Sequence, residues 1–105
     1  MKTDARQIIE ALDANLVAGT DAAQVDSVFT DTRKPSMNGL FIALQGENFN
    51  GDMFAEKALE EGASVAIVNE WGGGEVPQGK AVISVPDTLF ALQRLAHWWR
   101  SKLDI

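Results

Sequence analysis

The stretch that decides the fold is residues 39–68, GLFIALQGENFNGDMFAEKALEEGASVAIV. It holds an apolar run at 40–44 and a stretch at 64–68 that is apolar after Ser64, separated by a polar loop and a helical pattern. Short apolar runs between turn signals are typical of strands that are buried on both faces. On the intervening helix, Ala55 and Leu59 lie one turn apart and face the same way. The stretch therefore predicts a β-strand, α-helix, β-strand unit with parallel strands.

Two further strands extend this unit. The alternation over 25–32 predicts a strand before it, and the apolar run over 81–85 predicts a strand after it. We expect one α/β domain over residues 1–105, three-layer-like, with a mixed or mainly parallel sheet built around the central unit. One point stays open. The link over 34–39 is short enough for an antiparallel hairpin, which would place Thr32 and Gly46 at opposite ends of the sheet.

Helical patterns lie at both ends of the chain. Asp4 is predicted to cap a first helix, with Gln7 three residues on, and that helix is expected to end at Gly19. The central helix is expected to be capped by Asp52 and to end at Gly62. A last helix is predicted to start at 86–87. Its predicted apolar stripe comprises Leu89, Leu92, Ala96, Trp99 and Leu103.

Composition excludes several classes of function. The chain carries 9 Lys and Arg against 15 Asp and Glu, a net charge of -6, which disfavours nucleic acid and anionic membranes as partners. There are no cysteines, so disulfides, thiolate metal sites and cysteine nucleophiles are absent. No apolar run has the length of a membrane span, and the first residues are not a secretory signal. We expect a cytoplasmic location.

Two segments carry residues suited to a phosphate-bearing ligand. Thr32 and Arg33 follow a predicted strand, and a guanidinium gives phosphate two parallel hydrogen bonds. The alternative is a solvated turn in which Asp31 pairs with a neighbouring cation. The second segment is Gly46-Glu47-Asn48-Phe49, at the carboxyl end of a buried strand, where ligands gather in α/β sheets. The alternative there is a plain connection with Phe49 packed into the core.

The remaining aromatic and titratable residues do not assemble a catalytic set. Trp98 is expected either to widen the buried face of the last helix or to dock on another domain. His97 is expected to be an exposed helix residue. We assign no catalytic residue and no metal ligand, so the chain alone is interpreted as a binding module.

In their order and spacing, these motifs resemble the N-terminal domain of the Mur ligases, the ATP-dependent amino-acid ligases of peptidoglycan synthesis. The resemblance covers about residues 25–103. It is carried by segments 31–34, 39–51, 54–63 and 85–100. The Phe of Gly-Glu-Asn-Phe and the helix Leu-Gln-Arg-Leu-Ala-His-Trp-Trp-Arg look most like the members that add D-alanyl-D-alanine to UDP-N-acetylmuramoyl-tripeptide. The members that add diaminopimelate or lysine share the same layout and are the alternative within the family.

The resemblance implies a role for both segments. Thr32 and Arg33 would face the uridine diphosphate of a UDP-N-acetylmuramoyl-peptide, and Gly46, Glu47, Asn48 and Phe49 would form the loop beside it. Such ligases continue into a Gly-Lys-Thr loop that holds ATP, and they use Mg²⁺. This sequence has no such loop, so we expect a fragment without cofactor whose other domains would be its partners.

One departure from the family pattern concerns position 52. The family usually has Asp-Gly-His where this chain has Asn50-Gly51-Asp52, so no role of that histidine carries over. A freestanding α/β interaction module, with Trp98 and the last helix as its partner surface, is the competing hypothesis from another functional class.

Overall fold

A computed structural model of the protein describes residues 2–30, 37–46 and 49–103. In chain order the strands are β1 (Thr3–Asp4), β2 (Asn15–Gly19), β3 (Gln24–Val25), β4 (Ser27–Phe29), β5 (Gly39–Ile42), β6 (Gln45–Gly46), β7 (Phe49–Asn50), β8 (Val65–Val68) and β9 (Ala81–Ser84). The helices are α1 (Ala5–Leu12), α2 (Ala55–Glu60) and α3 (Thr88–Leu103), with a one-turn 3-10 helix over Gly51–Phe54 just before α2.

The main sheet has five strands in the order β2-β9-β8-β5-β4. Strands β4, β5, β8 and β9 run parallel, and β2 pairs antiparallel with β9 at one edge. The short pair β1–β3 and the hairpin β6–β7 lie outside this sheet. The predicted α/β class with a mixed, mainly parallel sheet is confirmed.

The predicted central unit is also confirmed. Strands β5 and β8 pair in parallel, with Leu40 opposite Val65 and Ile42 opposite Ile67. Helix α2 connects them. Every residue of both strands is buried, as the unbroken apolar runs predicted.

Helices cover both faces of the sheet, which makes three layers. On one face, Leu40 and Ile42 of β5 pack with residues of α1 and α3, among them Ile8 and Leu95. On the other face, Phe41 packs with the buried residues of α2, which are Ala55, Ala58 and Leu59. Successive residues of a strand point to opposite faces, so a strand covered on both sides must be apolar throughout.

The pairing of β4 with β5 resolves the point that the sequence left open. The two strands are parallel, with Ser27 opposite Gly39 and Phe29 opposite Phe41. The rings of Phe29 and Phe41 contact each other in a tilted arrangement, with centroids 5.5 Å apart. The chain therefore returns to the amino edge of the sheet between the two strands, and both strands end at the same edge.

The first helix is shorter than predicted. It is capped as expected by Asp4, whose Oδ1 accepts from the Gln7 N–H at 2.9 Å, but it ends at Leu12. Asp13 adopts a left-handed conformation with φ of 51°, and the chain then enters β2. Leu16 lies within the helix that the sequence predicts as far as Gly19, one helical turn after Leu12, but it pairs with Ile83 of β9 and is 39% exposed. Sheet pairing overrides the helical spacing of Leu12 and Leu16.

The strand predicted over 25–32 is divided in two. Val25 belongs to β3, which pairs with β1, whereas Ser27 to Phe29 form β4 in the main sheet. A single alternating strand would place Val25 and Phe29 on one face, but they pack in the clusters on opposite faces of the sheet. The break falls at Asp26, whose N–H donates to the Asn38 carbonyl at 2.9 Å.

The buried face of α3 also differs from the prediction. The helix starts as expected, with the Asp87 carboxylate accepting from the Phe90 N–H at 3.1 Å. Leu89 is 55% exposed and Ala96 is exposed, while Ala91 and Leu95 are buried. Trp98, not Trp99, packs with the core on this face. The buried stripe is rotated toward Ala91, Leu95 and Trp98, which pack in the same core cluster as Ile8 and Leu12 of α1.

Replacing Asp4 tests the start of α1. The Asp4→Ala variant should lose about 1 kcal/mol of unfolding free energy, because a first-turn N–H loses its acceptor. Urea unfolding measures this loss. Glu75→Ala removes the same charge from an exposed loop residue and should stay within about 0.5 kcal/mol of the parent. Equal stability of the two variants would contradict the cap.

Candidate functional site

Parallel pairing gathers the carboxyl ends of β4, β5, β8 and β9 at one edge of the sheet. Thr30 follows β4, and Ala43 follows β5, where its N–H donates to the Ile67 carbonyl at 2.9 Å. Val85 follows β9 and donates to the Val68 carbonyl at 2.9 Å. In open α/β sheets ligands bind beyond this edge. We call it the carboxyl edge.

A hairpin stands at the carboxyl edge directly after β5. In it Gln45 pairs with Asn50, and Gly46 pairs with Phe49, antiparallel. The Gly51 N–H donates to the Leu44 carbonyl at 3.1 Å, which brings the outgoing strand back to the end of β5. The hairpin is therefore an extension of β5 beyond the sheet.

The structure places some of the predicted site residues. Gly46 and Phe49 lie opposite each other on the two strands of the hairpin. Glu47 and Asn48, between them, lie outside the described residues, and so do Thr32 and Arg33. Thr30, the last described residue after β4, lies at the same edge as the hairpin because β4 and β5 are parallel and adjacent.

Asp52 has a different role from the predicted one. The N-cap residue of α2 is Phe54, which makes no side-chain cap hydrogen bond. Asp52 lies in the 3-10 helix, and its Oδ1 accepts from the Asn69 N–H and its Oδ2 from the Glu70 N–H, each at 2.9 Å. Its Oδ1 also accepts from Gln45 Nε2 at 2.9 Å. The carboxylate therefore joins the hairpin to the residues that follow β8.

Asn69 continues this network to β9. Its Nδ2 donates to the Val85 carbonyl at 3.0 Å and to the Pro86 carbonyl at 2.7 Å. Gln45 Nε2 also donates to the Ala43 carbonyl at 3.2 Å. Side-chain hydrogen bonds thus link the carboxyl ends of β5, β8 and β9. Sequence reasoning missed this network, since no spacing rule relates Asp52 to Asn69.

The Asp52 network occupies two backbone N–H groups that could otherwise bind a ligand. Two successive N–H groups, those of Asn69 and Glu70, point at one carboxylate. Such a pair is suited to an anion, but here the protein's own Asp52 fills the position. A phosphate at this edge must therefore find donors other than these two N–H groups.

Lys80 is not available at this edge. Its Nζ donates to the Leu59 carbonyl at the end of α2. Lys80 directly precedes β9, so it lies at the amino edge of the parallel strands. A cation for an anionic ligand at the carboxyl edge must come from another position.

A cavity of about 330 Å³ opens beside the network. Its lining residues are Gln45, Asn69, Pro86, Asp87, Thr88 and Leu89. It lies between the hairpin and the start of α3. The carboxyl edge is therefore concave on the side of β8 and β9.

No three His, Cys, Asp or Glu side chains of residues 2–30, 37–46 and 49–103 converge on a metal-sized space. His97 is exposed on α3, as predicted. Within the same ranges, no helix is long and apolar enough to cross a membrane.

Sequence comparison relates the chain to peptidoglycan ligases. It is 36% identical over 105 residues to the UDP-N-acetylmuramoyl-tripeptide–D-alanyl-D-alanine ligase of Haemophilus influenzae, covering 99% of this chain and 22% of that enzyme. The Bacillus subtilis enzyme of the same name is 40% identical over 96 residues, covering 86% of this chain and 21% of the enzyme. The UDP-N-acetylmuramoyl-L-alanyl-D-glutamate–2,6-diaminopimelate ligase of Parabacteroides distasonis is 32% identical over 94 residues, covering 90% of this chain and 19% of that enzyme. No protein-family model matches the sequence.

Structural comparison agrees. A crystal structure of MurF from Acinetobacter baumannii superposes with a TM-score of 0.74 at 25% identity, covering 97% of this chain and 22% of that one. The chain thus spans about a fifth of the length of the relatives it matches.

Gly51 is predicted to be required for the hairpin to close on β5. A Cβ at this position would lie 2.5 Å from the Leu44 carbonyl oxygen, so Gly51→Ala should cost about 1–3 kcal/mol of unfolding free energy. Gly72→Ala is the matched control, since a Cβ there meets nothing within 4 Å. Urea unfolding of both variants measures the difference. Equal stabilities would show that the close approach does not exist in solution.

Proposed function

This chain matches, in sequence and in fold, the N-terminal domain of the Mur ligases of the D-alanyl-D-alanine-adding type, and from that premise we propose that it binds the uridine-diphosphate end of UDP-N-acetylmuramoyl-tripeptide. The single observation that supports this most is the parallel pairing of β4 with β5. It starts the segment that leads to Thr32 and Arg33 at the same edge as the hairpin of Gly46 and Phe49.

The chemistry of the two segments suits a nucleoside diphosphate. The Arg33 guanidinium offers two parallel N–H donors to a phosphate, and the Thr32 hydroxyl adds a third donor. Gly46 has no side chain, so a flat base or a phosphate can approach the hairpin backbone closely. Since Asp52 occupies the N–H groups of Asn69 and Glu70, we assign the diphosphate to the Arg33 side of the edge.

The activity of the whole enzyme is part of the proposal. In the full ligase, the substrate carboxylate takes the terminal phosphoryl group of ATP, and the amine of D-alanyl-D-alanine then displaces phosphate to form the amide. ATP and Mg²⁺ would bind in the other domains, because these 105 residues hold no Gly-Lys-Thr loop. Residues 1–105 would form a single domain that holds the nucleotide end of the substrate. We propose a cytoplasmic location, where ATP and nucleotide-linked precursors are both supplied.

The experiment is an amide NMR titration of the ¹⁵N-labelled chain with UDP-N-acetylmuramoyl-tripeptide and, separately, with UDP. We expect localised shifts at Thr32, Arg33, Gly46 and Asn50, with the same pattern for UDP alone. An absence of shifts at millimolar ligand would overturn the proposal and favour the interaction module.

Arg33→Ala should weaken UDP binding about tenfold, because charge-assisted hydrogen bonds of about 1.5–3 kcal/mol are lost. Its urea midpoint should not change. The control is Arg6→Ala, which removes the same charge from an exposed position on α1, where Arg6 lies 3.7 Å from Glu10. If Arg33→Ala unfolds the domain, Arg33 is a structural ion-pair residue and its assignment to the ligand is wrong.

A further inference from the structure

We propose that Asp52 is a positioning residue for the uridine-diphosphate site: its carboxylate holds the β6–β7 hairpin in the orientation that receives the nucleotide. The inference rests on the proposed function and adds a residue that does not itself touch the ligand. Its basis is the set of three donors that converge on one carboxylate, from Gln45, Asn69 and Glu70.

Asp52 controls both strands of the hairpin. The incoming strand begins with Gln45, whose Nε2 donates to Asp52 Oδ1 at 2.9 Å. The outgoing strand ends at Asn50, two residues before Asp52 itself. A two-residue pair of strands is marginal by itself in water. Its orientation therefore depends on the residues at its base, and one carboxylate fixes that base on both sides.

The three hydrogen bonds to the Asp52 carboxylate form a clamp, and the side of the clamp opposite the hairpin is anchored in the sheet. Asn69 and Glu70 follow β8, every residue of which is buried, and their N–H groups take one oxygen each of the Asp52 carboxylate. Asn69 is fixed in turn by its two hydrogen bonds to the carbonyls of Val85 and Pro86. The hairpin is thus tied to the centre of the sheet rather than to another surface loop.

Asp52 is particular in being able to accept all three donors. A carboxylate has two oxygens and about four acceptor sites, whereas a neutral imidazole has a single acceptor nitrogen. The histidine that the family usually places at this position would leave at least two of these donors to find other partners. The clamp is therefore a property of this sequence and does not follow from the family resemblance.

Charge and positioning predict opposite effects on UDP affinity when the Asp52 carboxylate is removed. The ligand is an anion and the chain already carries a net charge of -6, so removing a carboxylate near the site should by charge alone strengthen binding. Loss of the clamp should weaken the binding of UDP. Asp52→Asn removes the charge and keeps one acceptor oxygen, so the two explanations predict opposite changes in affinity.

The experiment measures UDP affinity, ¹⁵N relaxation of the hairpin amides and the urea midpoint for three variants of the chain. Asp52→Asn should bind UDP about three- to tenfold more weakly, with faster motion at Gly46 and Asn50 and unchanged relaxation in β8. Gln45→Met removes the hydrogen bonds from Gln45 Nε2 to Asp52 and to the Ala43 carbonyl without changing charge, and it should weaken binding about two- to fivefold. Asp26→Asn changes the same charge at the amino edge and should bind at least as tightly as the parent.

The outcomes separate this inference from the proposed function. Parent and Asp52→Asn chains that bind UDP equally, or an Asp52→Asn chain that binds more tightly, would overturn the positioning role while the nucleotide site stands. A fall in affinity accompanied by a lower urea midpoint and loosening of β8 would overturn it too, since Asp52 would then be a general structural residue. If the parent does not bind UDP, the proposed function fails, and the positioning role fails with it.

Discussion

The burial of β5 on both faces is the constraint on which the rest of the structure depends. Its residues Leu40 to Ile42 are between 0 and 2% exposed, with α1 and α3 on one side and α2 on the other. A strand so placed must pair on both edges, since its backbone groups have no access to water. It pairs with β4 and β8, both parallel to it. This places β5 between β4 and β8 and requires helices on both faces of the sheet.

Parallel pairing also determines where a ligand can bind. Each parallel strand ends at the same edge, so four connections of different sequence are brought together there without any direct contact being specified between them. The hairpin after β5 and Thr30, which follows β4, lie at the same edge for this reason. Parallel pairing does not by itself fix the orientation of a hairpin that projects beyond the sheet.

How far the sequence predicts the structure depends on the range of the interaction. The β5–α2–β8 unit was predictable because apolar runs and helical spacing record burial locally. The end of α1 was not, because Leu12 and Leu16 fit a helix while the pairing of Leu16 with Ile83 is decided 67 residues away. The buried face of α3 lies one position earlier than the sequence predicts, because its packing partners are likewise distant in sequence. For Asp52 the sequence indicates only a helix cap, because the N–H groups that donate to its carboxylate, those of Asn69 and Glu70, are distant in sequence.

An acidic domain that receives a diphosphate has to keep its own carboxylates from opposing the ligand. At the carboxyl edge, the Asp52 carboxylate accepts hydrogen bonds from two backbone N–H groups and a side-chain amide. These three donors compensate part of its negative charge. Hydrogen bonds to an ionised acceptor are roughly twice as strong as neutral ones. The same three bonds that compensate the charge also hold the hairpin. On the proposed function, one arrangement thus serves both needs: it limits repulsion of the diphosphate and fixes the backbone that meets it, while Arg33 supplies the attraction.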